Sequence, residues 1–205
     1  LNRMTSATSY SSGDVVLQDV EFRYDVFGRR IAKTVDADGA GVGLPETVFT
    51  VYDGDHAWAD FDGTGTLTAQ YLFGDQIDEI IARWTQADGT AWYLTDHLGT
   101  VRDIVDDTGA LVNTITYDSF GSILNQTDAA VGDRFTYTGR EYDAETGFYY
   151  YRARYYDPQL GRFVSQDRIG FNAGDANLYR YVGNASIKST DPSGLVANVT
   201  VAPGG

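Results

Sequence analysis

A short aromatic unit recurs along the chain and constrains its fold more than any other feature. Each copy has an aromatic strand that ends in Tyr-Asp, a turn that contains Gly, and a second strand. The full copies are YDVFG at residues 24–28, YDSFG at 117–121 and YDPQLG at 156–161. Asp at a strand end can accept hydrogen bonds from turn amides, and Gly supplies the backbone freedom that the turn needs. Because one hairpin cannot bury its apolar face alone, the hairpins must pair or stack with their neighbours.

Weaker copies and alternating apolar residues extend this pattern over most of the chain. The weaker copies are YDG at residues 52–54, YLFG at 71–74 and TDHLG at 95–99. Alternation and aromatic density predict strands, and the candidates are Val20–Asp25, Arg29–Val35, Val48–Tyr52, Leu67–Phe73, Glu79–Gln86, Ala91–Thr95, Val101–Val105, Leu111–Tyr117, Arg134–Glu141 and Phe148–Tyr156. The sequence therefore predicts an all-β chain with many turns.

One segment near the end of the chain has the pattern of a helix. Asp175 is a candidate N-cap, and Gly183-Asn184 is a candidate stop signal. Leu178, Tyr181 and Val182 would then fall on one helical face. We expect one short helix over residues 175–182.

Composition excludes several classes of function. The formal net charge is −14, so the surface would repel the phosphates of a nucleic-acid partner. No apolar run approaches the ~20 residues that a membrane-spanning helix needs. The chain has no Cys, and its two histidines, His56 and His97, lack metal-ligand spacing. We therefore expect no cofactor, no metal site, no nucleic-acid partner and no membrane span.

Ordered motifs in the second half of the chain identify a family resemblance. They are YLTDHLGTVR at residues 93–102, FTYTGREYD at 135–143, TGFYYYRARYYDP at 146–158, GRFVSQD at 161–167, NLYRYV at 177–182 and DPSGL at 191–195. The chain resembles RHS-repeat (YD-repeat) proteins, and these motifs resemble the RHS-repeat-associated core domain at the C-terminal end of the shell. The resemblance predicts a repeat segment over residues 1–89, a core domain over 90–195, and a linker or the start of a variable C-terminal region over 196–205.

The resemblance implies a spiral β-sheet shell that ends in an inward-curling plug. In this interpretation the chain is a structural, encapsulating module of an exported bacterial protein, secreted or at the cell surface. Its partners would be its own C-terminal cargo or toxin, the upstream repeats, and also secretion machinery or other cell-surface proteins. Two alternatives stay open: an aspartyl autoprotease that acts once on its own chain, and a surface adhesion protein without cargo.

The same resemblance implies a self-cleavage site. Matching motif by motif gives Arg154, Asp167 and Asp191 as catalytic residues and Leu195–Val196 as the scissile bond. Two carboxylates held close cannot both ionise easily, so one can keep a proton while the other activates water. A nearby Arg could neutralise developing charge or hold one carboxylate in place.

Structural roles compete with this chemistry. Asp191-Pro192-Ser193-Gly194 fits a type I turn, and Arg154 could be an ion-pair partner within an aromatic wall. The chain also departs from the family pattern, because Asp167 is followed by Arg168 instead of Pro. Arg168 would either pair with Asp167 or point to solvent. Tyr149–Tyr151, Tyr155 and Tyr156 are expected in the core or lining the shell, and not in a carbohydrate site.

Overall fold

The strands predicted by the repeat form antiparallel meanders in which each strand pairs with the next. A computed structural model describes residues 3–195 and the backbone of residues 198–199. The chain divides into two compact units, Met4–Tyr71 and the part that begins at Leu72. The first unit contains β1 (Ser6–Tyr10), β2 (Val16–Tyr24), β3 (Arg30–Asp36), β4 (Glu46–Asp53), β5 (His56–Phe61) and most of β6 (Leu67–Phe73).

The second unit begins with another meander and continues into a smaller sheet. The meander strands are β7 (Ile80–Thr85), β8 (Gly89–Thr95), β9 (Val101–Asp106), β10 (Leu111–Tyr117) and β11 (Ile123–Gln126). The four-stranded sheet is β12 (Glu141–Asp143), β13 (Phe148–Tyr151), β14 (Arg154–Asp157) and β15 (Arg162–Phe163). A last pair is β16 (Ser189–Thr190) and β17 (Asn198–Val199). The predicted linker over residues 196–205 lies outside the described residues, apart from the backbone of β17.

The repeated Asp closes its own turn, as the sequence predicts. In the turn after β8, Asp96 Oδ1 accepts the amides of Leu98 at 2.9 Å and Thr100 at 3.1 Å. The amide of Gly99 donates to the Asp96 carbonyl at 2.9 Å, and Gly99 has a φ of 78°. The same pattern of two amides on one carboxylate oxygen recurs at Asp25, Asp62, Asp106 and Asp118. The Asp residue therefore fixes the turn that joins one strand to the next.

Tyrosine rings form the core beneath the small sheet. Tyr149, Tyr151 and Tyr156 are buried and pack with Phe163 and Tyr181. Their hydroxyl groups find partners: Tyr149 donates to the Gly121 carbonyl at 2.9 Å and Tyr156 to the Phe120 carbonyl at 2.8 Å. Because burial disfavours the phenolate, the pKa of Tyr149 and of Tyr151 is well above its ordinary value. The expectation that this cluster belongs to the core is confirmed.

The helix predicted over residues 175–182 is wrong. The described residues contain no helix beyond short 3₁₀ turns, at Ala129–Val131, Tyr137–Gly139, Gly170–Ala173 and Val182–Asn184. Asp175 Oδ1 accepts the amide of Asn177, and Asn177 Oδ1 accepts the amide of Tyr179. These side chains stabilise turns instead of starting a helix. None of the described helices is long and apolar enough to cross a membrane.

Two predicted strands near the small sheet also differ from the structure. The segment predicted as one strand over Phe148–Tyr156 is a hairpin, β13 and β14, because Arg152 adopts a left-handed φ of 51° between them. The candidate Arg134–Glu141 is interrupted by the turn Tyr137–Gly139, in which Thr138 has a φ of 52°. Neither Arg nor Thr is a usual signal for this conformation. Six of the described strands, β1, β5, β11, β15, β16 and β17, lie outside the strand candidates predicted from the sequence.

The turn carboxylates should make the fold sensitive to acid. The hydroxyl of Thr64 and the amide of Thr66 hold the pKa of Asp62 below 3.8, and Thr108 and Ala110 do the same for Asp106. A carboxyl whose pKa is lower in the folded state contributes stability above its unfolded pKa and loses it as pH falls through the folded pKa.

We therefore expect the free energy of unfolding to decrease as pH falls below about 4. Urea unfolding at a series of pH values measures this, with the double variant Asp62→Asn/Asp106→Asn as the comparison. The variant should show a smaller loss between neutral and acid pH. An equal loss in both proteins would contradict the role given to these carboxylates.

Candidate active site

The three residues predicted for self-cleavage come together in the second unit. Arg154 begins β14, Asp167 follows β15, and Asp191 follows β16. The Nη2 atom of Arg154 is 3.1 Å from Asp167 Oδ2 and 3.4 Å from Asp191 Oδ2. All three side chains are buried. One guanidinium nitrogen is thus shared by two carboxylates that are far apart in the sequence.

The rest of the Arg154 guanidinium is also engaged. Its Nη1 donates to the Leu178 carbonyl at 3.1 Å, and its Nε donates to the Gly194 carbonyl. Its Cζ lies 3.6 Å from the centroid of the Phe163 ring, a cation–π contact. Burial lowers the pKa of Arg154, and the charges of Asp167 and Asp191 oppose that effect.

Asp167 is held by the backbone around it. Its amide donates to the Leu178 carbonyl at 2.9 Å, and its Oδ1 accepts the amide of Ile169 at 2.8 Å. Arg168 has an exposed side chain, and the ion pair of Asp167 is made with Arg154. Of the two possibilities left open by the sequence, the structure therefore shows Arg168 directed to solvent.

Asp191 begins the turn that the sequence predicts. The amide of Gly194 donates to the Asp191 carbonyl at 3.1 Å, which is the bond that closes a four-residue turn. Asp191 Oδ1 accepts the Leu195 amide at 3.0 Å and the Ser193 hydroxyl at 3.1 Å. The turn therefore brings Leu195, the residue before the predicted scissile bond, beside one of the two acids.

A pocket of about 280 Å³ opens over this group of side chains. Arg154, Asp167, Asp191 and Leu195 all line it. It is large enough to hold water molecules, and its charged groups offer the polar partners that a bound water needs. The arrangement has components that a hydrolytic site needs: two buried acids, a cation shared between them, and the nearby residue Leu195.

Sequence reasoning missed two members of this site. The backbone carbonyl of Leu178 accepts hydrogen bonds from the Arg154 guanidinium and from the Asp167 amide. A pattern of side chains in the sequence cannot predict such a role for a carbonyl. Phe163 lies under the guanidinium. The sequence places Phe163 in the GRFVSQD motif, four residues before Asp167. Only the folded structure shows that its ring lies against the Arg154 guanidinium.

The other residues singled out from the sequence lie outside this site. His97 Nε2 is 3.2 Å from the Ile187 carbonyl, a hydrogen-bond distance. Within the described residues, no group of three or more His, Cys, Asp or Glu side chains is arranged to hold a metal ion.

Removal of the Arg154 cation, which Asp167 and Asp191 share, should lower the free energy of unfolding. Arg154→Met leaves two buried carboxylates without their common partner, so we expect a loss of about 3–5 kcal/mol in the free energy of unfolding. The triple variant Arg154→Met/Asp167→Asn/Asp191→Asn removes the charges as well and should recover part of that loss. Denaturant unfolding measures both. A triple variant no more stable than Arg154→Met would show that charge burial is not the cause.

Comparison with known proteins places this fold in a family. The model of the Teneurin YD-shell family matches residues 8–187. The tRNA nuclease WapA of Bacillus subtilis is 33% identical over 180 residues, which are 84% of this chain and 7% of that protein. Double-stranded DNA deaminase toxin A of Burkholderia cenocepacia is 30% identical over 210 residues, which are 90% of this chain and 14% of that protein.

A solved structure has the same fold. The chain superposes on the Photorhabdus luminescens Tc holotoxin pore with a TM-score of 0.69 and 22% identity, covering 100% of this chain and 11% of that one. The chain therefore spans a small part of each protein that it matches. On the family match over residues 8–187, this chain belongs to the Teneurin YD-shell family of YD-repeat (RHS) proteins.

Proposed function

We propose that this chain is the closing segment of a YD-repeat shell that encloses a C-terminal polypeptide cargo. In this proposal residues 1–89 form part of the shell wall and residues 90–195 form its plug. The parent protein would be exported, secreted or displayed at the cell surface, as a carrier of a toxin. The chain would then have a structural role and would cleave one of its own peptide bonds once.

The two relatives support a carrier role. One is named for tRNA cleavage and the other for DNA deamination, which are different reactions. Both nevertheless contain a segment similar to nearly all of this chain, and that segment is a small fraction of each. A segment shared by proteins with different activities is better explained as a common carrier than as the source of either reaction.

The surface of the meander is compatible with an enclosed polypeptide. Trp92 and Leu94 are two residues apart on β8 and so lie on the same face. Their side chains are 42% and 50% exposed. Apolar side chains left exposed on a sheet face favour contact with another polypeptide.

We further propose that Arg154, Asp167 and Asp191 cleave the bond between Leu195 and Val196. The observation that carries this proposal is that all three are buried around one pocket that Leu195 also lines. One carboxylate takes a proton from a water molecule, whose oxygen adds to the Leu195 carbonyl carbon. The C–N bond then breaks as the other carboxyl donates its proton to the Val196 nitrogen. Arg154 stabilises the negative charge of the intermediate.

The intact mass of the full-length protein tests this function. We expect the wild type to separate into two polypeptides at Leu195–Val196. Asp191→Asn should slow the break by about 10²-fold or more, because it removes one of two groups that transfer protons. The matched control is Asp103→Asn, which changes an acid on β9 that bonds the Thr114 hydroxyl at 2.6 Å and should cleave like the wild type.

Two results would contradict the proposed cleavage. One is a wild-type chain that stays whole after prolonged incubation. The other is an Asp191→Asn chain that breaks as fast as the wild type. Either result would leave the carrier role in place and make these acids structural.

A further inference from the structure

Three successive carbonyls of the terminal turn are held by three successive residues of the β13–β14 hairpin. Arg152 Nη1 donates to the Pro192 carbonyl at 2.5 Å. The amide of Ala153 donates to the Ser193 carbonyl at 3.2 Å, and Arg154 Nε donates to the Gly194 carbonyl. The hairpin therefore fixes the register of the turn one residue at a time, and a one-residue slip would break all three bonds.

The close approach at Gly194 reinforces this register. A Cβ atom on Gly194 would lie 2.3 Å from the Tyr151 carbonyl oxygen, and Gly194 has a left-handed φ of 68°. No other residue type fits there without moving the backbone. The turn thus docks against the hairpin by main-chain contact as well as by side-chain bonds.

Arg152 is itself held by a buried carboxylate. Its Nη2 is 2.7 Å from Asp78 Oδ1, and its Nη1 is 3.1 Å from Asp78 Oδ2. Asp78 also pairs with Arg140 at 2.6 Å, and Arg140 donates two bonds to the Tyr150 carbonyl. A chain of contacts therefore runs from the loop before β7, through Arg152, to the Pro192 carbonyl.

The backbone has a left-handed φ at both ends of this ion pair, 63° at Asp78 and 51° at Arg152. Asp adopts this conformation more often than most residues, but it is unusual for Arg. Such conformations persist only where the surroundings over-determine them, and they concentrate at functional sites. Here the left-handed backbone is held by the bonds of Arg152 to Asp78 and to the Pro192 carbonyl.

We propose that Arg152 is a positioning residue for the Leu195–Val196 bond and that Asp78 is its anchor. The inference rests on the proposed self-cleavage and extends it to residues that do not touch the reacting atoms. Arg152 holds the turn in register, which sets Leu195 against Asp191. Because Asp78 lies in the loop before β7, the site is complete only when that loop has folded.

The test compares variants of the full-length protein. Arg152→Gln removes the cation at nearly constant length, Arg152→Lys keeps it, and Asp78→Asn removes the anchor with a residue that tolerates left-handed φ. The matched control is Arg102→Gln, which loses a contact of 3.0 Å to Asp96 at a position away from the terminal turn. Cleavage is followed by intact mass, and stability by the unfolding midpoint.

Amide hydrogen exchange gives a second readout that does not depend on cleavage. The Ala153 amide is protected only while the Ser193 carbonyl is docked, and the Leu195 amide only while the turn is formed. Both are measured in an Asp167→Asn background, in which we expect the chain to stay whole.

We expect Arg152→Gln and Asp78→Asn to slow cleavage by up to about 100-fold, the effect of a small misplacement of reacting groups. Arg152→Lys should restore part of the rate. Exchange at Ala153 and Leu195 should become faster in both variants. The unfolding midpoint of Arg152→Gln should fall no more than that of Arg102→Gln, whereas Asp78→Asn also leaves the buried Arg140 without its carboxylate and should have a lower midpoint.

Wild-type cleavage and unchanged exchange in Arg152→Gln would overturn the proposal. A general loss of protection, with a midpoint well below that of Arg102→Gln, would also overturn it, because Arg152 would then be an ordinary stabilising residue. If the wild type does not cleave, the proposed function fails on its own. The exchange at Ala153 and Leu195 then still decides whether Arg152 holds the turn.

Discussion

The buried guanidinium of Arg154 is the constraint on which the geometry of the site depends. A buried cation is tolerated only when its charge and its donors are matched. Arg154 meets this requirement with Asp167, Asp191, two backbone carbonyls and the Phe163 ring. These groups belong to segments with little regular secondary structure. The contacts of Arg154 therefore bring the segments around Asp167, Leu178 and the turn Asp191–Gly194 to a common point.

Aspartate has two different tasks in this chain. At Asp25, Asp62, Asp96, Asp106 and Asp118 it accepts the amides of its own turn and joins one strand to the next. At Asp78, Asp167 and Asp191 it is buried and pairs with arginines from distant elements. The first task needs only local geometry and can repeat along the chain. The second depends on the tertiary fold, because each paired arginine lies on another part of the chain.

This distinction explains what the sequence could predict. The turn at Asp118 and the strand Leu67–Phe73 follow from local signals and agree with the structure. The helix expected over residues 175–182 is absent because the side chains of Asp175 and Asn177 accept hydrogen bonds from nearby amides and stabilise turns. The spacing of apolar residues does not show that such turns compete with a helix. Arg154, Asp167 and Asp191 were identified by family resemblance. Only the folded structure shows that Asp167 and Asp191 share the Nη2 atom of Arg154. The roles of Arg152 and Leu178 are likewise visible only in the folded structure.

Isotope labelling tests directly our proposal that the buried acids direct water to the Leu195–Val196 bond. The full-length protein is synthesised and allowed to react in water enriched in oxygen-18. The peptide at the new C-terminus of the N-terminal product is then sequenced by mass spectrometry. We predict a peptide that ends at Leu195 and carries one heavy oxygen in its terminal carboxylate. A break at another bond, such as Asp191–Pro192, or a Leu195 carboxylate without the label, would contradict it.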